Sequence, residues 1–77
     1  MNDRGILAHI DELVAEEHAL LGKNGLNGQE RARLESLQVQ LDQCWDLLRQ
    51  RRGKRHAGED PDESQTRDAA TVEKYKQ

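Results

Sequence analysis

The chain has no phenylalanine, one tryptophan and one tyrosine among 77 residues. Bulky aromatic core fillers are nearly absent, so a core has to be built from Leu, Ile and Val. The one cysteine, Cys44, cannot close an internal disulfide, which fits a reducing cytoplasm. No apolar run approaches the roughly 18 residues that a membrane helix needs. The opening stretch, MNDRGILAHIDEL, has acids inside its apolar part and no cleavage site, so it does not read as a signal peptide. Hydrophobic residues make up only 34% against 35% charged, with a mean hydropathy of -1.06, so a monomer this small is marginal on its own.

The aliphatic residues that are present are not scattered. From about 3 to 21, Ile6, Leu7, Ile10, Leu13, Val14, Leu20 and Leu21 recur at spacings of three, four and seven and share one helical face. Asp3 is placed to accept the open N–H groups of the first turn as an N-cap. The segment 22–28, GKNGLNG, ends that helix with glycines and asparagines that tolerate a positive φ. Asn27 with Glu30 three residues later reads as a capping box that starts a second helix over about 28–55. In it Leu34, Leu37, Leu41, Cys44 and Leu48 alternate spacings of three and four, an a/d heptad seam widened by Trp45 and Leu47. Arg51 takes the next d position and ends the apolar seam. Gly53 and Gly58 weaken the helix, and Pro61 cannot continue it.

These elements predict an all-α protein, an antiparallel helical hairpin over 1–56 with coiled-coil-like packing. Residues 57–77 read as an acidic flexible tail with a short helix over 69–76, capped by Asp68 and carrying Val72 and Tyr75 on one side. In the expected register Leu37 meets Leu13, and Cys44 and Trp45 sit near Ile6. Glu17 interrupts the first helix's seam near the loop, within reach of Arg33. The seam formed by Leu34, Leu37, Leu41, Cys44, Trp45 and Leu48 with Ile6, Ile10 and Leu13 is wider than one neighbour covers. A homodimer closing into a four-helix bundle is the simplest remedy, with Trp45 as its main packing anchor.

Charge is unevenly spread. Residues 1–48 hold nine acids against four bases, 49–56 five bases and no acid, and 57–77 six acids against three bases. The basic block, Arg49, Arg51, Arg52, Lys54 and Arg55, offsets a helix C-terminal dipole or docks an anionic partner. On the expected overhang of the second helix, Arg49, Arg52 and Arg55 form a ridge with little work inside the molecule.

Catalytic patterns are missing. His9 and His18 stand nine residues apart, about 180° around a helix, so they do not converge on one metal. Neither is preceded at three residues by the Glu of a di-metal bundle. Cys44 lacks a His and Asp at helical spacing and reads as a small buried hydrophobe, its thiol raised rather than lowered by Asp42 and Asp46. GKNGLNG is no phosphate loop. The expectation is a non-enzyme with no catalytic residue, no metal and no cofactor.

Three strings carry a resemblance: HIDELVAEEH at 9–18, LDQCWDLLRQRR at 41–52 and AGEDPD at 57–62. Together they resemble a family of short actinobacterial proteins catalogued as a domain of unknown function. The resemblance spans nearly the whole chain and implies an actinobacterial, cytoplasmic origin, with no activity and no site residues to carry over. The residues themselves predict a non-catalytic interaction or adaptor protein that acts as a hairpin oligomer on a protein partner, away from membranes. The alternative is an accessory factor of a nucleoprotein, a ribosome or transcription complex, bound through 49–55. No aromatic is interleaved in that block for base stacking, which counts against single-strand binding.

Overall fold

A computed structural model describes residues 2–74. Helix α1 spans Asp3–Leu21, α2 spans Gly28–His56, a 3-10 turn covers Pro61–Glu63, and α3 spans Ala69–Lys74. The part of the expected last helix beyond Lys74, Tyr75 included, lies outside the described residues.

Local chemistry sets the ends of the helices. Asn2, rather than Asp3, caps α1, its side-chain oxygen accepting from the Gly5 N–H at 2.8 Å. An acid at the first helical position is thereby left to act elsewhere. Asn27 and Glu30 form the full capping box that opens α2: the Asn27 side chain accepts from the Glu30 N–H at 2.8 Å, and the Glu30 carboxylate accepts from the Asn27 N–H at 3.0 Å. Gly53 stays helical. The chain turns at Gly58, whose φ of +78° suits a residue without a Cβ. There the Glu59 N–H reaches the Lys54 carbonyl at 2.7 Å and the Gly58 N–H the Arg55 carbonyl at 3.1 Å, the paired bonds of a Schellman motif. That turn sends the chain back along α2.

The hairpin core is aliphatic. Ile6, Ile10 and Leu13 of α1 bury against Leu37 and Leu41 of α2, with Val14, Leu20, Cys44, Leu47 and Leu48 packed around them. Leu37 is completely buried. Ion pairs pin both ends of this contact. Near the loop Lys23 pairs with Glu30, and Arg33 binds Glu16, the neighbour of Glu17. At the open end Asp3 is held by Arg51 and Arg55.

Residues 57–74 lie along α2 rather than standing away from it. The Gln50 side chain donates to the Gln65 carbonyl at 2.8 Å, and that of Gln43 to the Arg67 carbonyl at 3.1 Å. Asp68 caps α3 by accepting from the Thr71 N–H at 2.7 Å, and Val72 is buried. Gln43 and Gln50 sit roughly on the side of α2 away from Leu37 and Leu41, given about 100° per residue. Helices α1 and α3 therefore flank α2 and do not meet. The result is a slab of 48 × 25 × 15 Å with α2 in the middle, one helix thick.

Leu37 fills the centre of the only helix–helix contact with a substantial apolar core among the described residues. Leu37→Ala is expected to destabilise the fold by about 2–5 kcal/mol, read from chemical denaturation monitored by helical circular dichroism.

Candidate interaction surface

The open end of the hairpin is closed by a guanidinium. Arg51, only 6% exposed, donates from Nε to Asp3 at 2.5 Å and from Nη1 to Asp62 at 3.0 Å and to the Pro61 carbonyl at 3.2 Å. Arg55 grips the same Asp3 through both carboxylate oxygens, at 3.1 and 2.6 Å. One residue thus ties together the first turn of α1, the last turns of α2 and the 3-10 turn. Hydrogen bonds from Arg55 and Arg51 hold the Asp3 carboxyl well below the usual range, at about 2.

This arrangement corrects the reading of the basic block as a detached ridge. Arg51 is interior and Arg55 is committed to Asp3. Lys54 lies 4.0 Å from each of the carboxylates of Glu59 and Glu63. Arg49 and Arg52 differ from these: they are exposed, and neither side chain makes an ion pair or hydrogen bond among the described residues.

Trp45 lies on α2 at the edge of the seam. It is 48% exposed, because its position on α2 turns away from both α1 and the returning chain. It stands on the uncovered face of the slab, between two grooves. On its C-terminal side a groove is lined by Leu7, Trp45 and Leu48 with Arg49, Arg52, Arg55 and Asp3 at its rim. Leu7 is itself 45% exposed, so the floor is apolar and the rim cationic. On the N-terminal side a second groove runs over Leu41, Val39 and Gln38, and its walls carry Glu17 from α1, Glu35 and Asp42 from α2, and Glu73 from α3. The sequence reading grouped Arg49, Arg52 and Arg55 but gave no sign of the acidic groove, since its four acids come from three elements.

Cys44 is half-buried, and burial rather than a neighbouring carboxylate pushes its thiol pKa up. Asp46, beside it in sequence, is buried on the other side of α2 among Gln50 and Arg67. His9 is half-buried and His18 exposed, and among the described residues no three His, Cys, Asp or Glu side chains converge as metal ligands. No helix among them is long and apolar enough to cross a membrane.

Residues 2–77 match the model of a family described as "Protein of unknown function (DUF2630)". The chain belongs to this family. It is 49% identical over 77 residues to the uncharacterized protein Rv0898c of Mycobacterium tuberculosis, covering 95% of this chain and 88% of the relative. The uncharacterized protein Mb0922c of Mycobacterium bovis matches to the same extent. The resemblance to short actinobacterial proteins is thereby confirmed, and no solved structure matches the chain.

The role of Asp3 in this DUF2630 member escaped the sequence because its partners lie 48 and 52 residues away. Its one legible signal was the register: with Cys44 near Ile6, Asp3 falls one turn earlier, within an arginine's reach of position 51. Two outcomes follow. The advantage of wild type over Asp3→Asn in melting temperature should be complete above the unfolded carboxyl's pKa of about 3.9. It should vanish as pH falls through the folded value of about 2. In the same assay at neutral pH, Arg51→Met should lower the melting temperature far more than Arg52→Met, because only Arg51 leaves Asp3 and Asp62 without their buried partner.

Proposed function

We propose that this protein acts without catalysis, as a helical-hairpin interaction protein that self-associates through its Trp45 face and offers the assembled surface to another protein. The observation that carries this reading is the half-exposed Trp45 at the centre of a slab one helix thick. Helical domains are stable as two packed layers around a shared core. Among the described residues no second layer covers this face, and the largest apolar side chain of the protein is half-exposed on it. Leu7, Leu48 and the half-buried Leu34 extend the apolar strip around it. A four-helix arrangement of two hairpins supplies the missing layer. A cytoplasmic location fits the single unpaired cysteine.

A second reading, docking on nucleoprotein phosphate, is favoured by Arg49 and Arg52, which have no counter-charge of their own among the described residues. Trp45 beside them would add a stacking platform. Against it stands the acidic groove on the other side of Trp45, which repels a polyanion laid along this face. Phosphate contacts weaken steeply with salt, whereas apolar helix packing does not, so a salt titration separates the two.

Sedimentation at micromolar concentration should give about twice the 8.8 kDa chain mass. Trp45→Ala should return the protein to monomer while leaving its helical signal in place. A wild-type monomer with a cooperative melt overturns the reading.

A further inference from the structure

The charges on either side of Trp45 are arranged to recognise themselves. We infer that the occupant of this face is a second copy of the chain, related by a two-fold axis at Trp45, with the cationic groove of each copy lying on the acidic groove of the other. This rests on the reading of the Trp45 face as a self-association surface and adds what specifies it.

The geometry comes from α2. Arg49 lies four residues beyond Trp45 and Asp42 three before it. At 1.5 Å per residue these are about 6 and about 4.5 Å from Trp45 along the helix axis. A two-fold axis lying in the plane of the face and perpendicular to α2 lays the second copy on this face with its α2 reversed, so Arg49 comes to stand opposite Asp42 of the second copy. Arg52, about 10.5 Å from Trp45, then comes within side-chain reach of Glu35 of the second copy, about 15 Å out on the facing helix. Glu17 and Glu73 widen the acidic wall. The pairs occur twice by symmetry, as in any isologous contact. The two Trp45 rings meet at the axis, where offset or edge-on aromatic packing is favourable.

Other occupants satisfy only half of this face. A polyanion or acidic protein suits Arg49 and Arg52 but meets the acidic groove, and a basic partner meets the reverse conflict. A parallel second copy sets arginine on arginine. Only the antiparallel copy opposes unlike charges on both sides of the apolar centre, and it completes the missing layer.

The test is a charge swap read by sedimentation. Arg49→Glu with Arg52→Glu forms one variant, and Glu35→Lys with Asp42→Lys the other. Each alone should self-associate at least about tenfold more weakly than wild type, since like charges then face each other twice. Mixed in equal amounts the two should form heterodimers, because every contact in the mixed pair is again between unlike charges. If the Asp42 substitution disturbs the fold, exposed Glu35→Lys alone serves as the second partner and should still prefer the arginine-reversed chain to itself. Self-association of both variants at wild-type strength, or mixing without preference for the heterodimer, overturns the charge-paired arrangement while leaving a Trp45-dependent dimer standing. A monomeric wild type removes that dimer as well.

Discussion

The guanidinium of Arg51 is the point on which the rest of the structure depends. A two-helix contact built from five buried aliphatic side chains has little to fix its register or to bring the C-terminal segment home. Arg51 does both, because its planar fork donates in several directions at once: to Asp3 at the start of α1, and to the Pro61 carbonyl and Asp62 in the 3-10 turn. A buried cation is costly unless its donors are satisfied, so its burial requires that all three segments be in place together. The cost that would attend a misplaced tail or a slipped helix is what makes this end of the molecule specific.

From that junction the architecture follows. With α1 locked on one flank of α2 and the returning chain strapped along the other by Gln43, Gln50 and Val72, the helices lie side by side. Among the described residues neither flank wraps far enough around α2 to cover Trp45. Among the same residues α3 spans Ala69–Lys74 and does not meet α1. Trp45 is thereby left exposed among the described residues, and the proposed dimer would cover it.

The basic block divides by geometry. Arg51 and Arg55 point toward α1 and are consumed by Asp3; Lys54 faces the carboxylates of the turn; Arg49 and Arg52 share the Trp45 face and make no ion pair among the described residues. Five cations adjacent in sequence therefore serve different purposes. What separates them is the 100° step between successive helical positions, which spreads a short run around the whole circumference. The acidic groove is the converse case, with acids distant in sequence gathered on one face.

The sequence by itself determined the two long helices, the Asn27–Glu30 capping box, the aliphatic seam and the all-α hairpin. Each depends on spacings of three, four or seven residues, or on a cap within one turn, and these are local quantities. It also determined family membership. Only the tertiary structure decided that Asp3 is an ion-pair anchor rather than a cap, that Arg51 is interior, that the acidic segment returns along α2, and that Trp45 faces outward between grooves of opposite charge. Those facts turn on partners tens of residues apart and on which flank of α2 each segment takes. Heptad periodicity names a stripe on a helix but not its neighbours, and so it placed Trp45 at the edge of the seam without saying that it stays 48% exposed among the described residues.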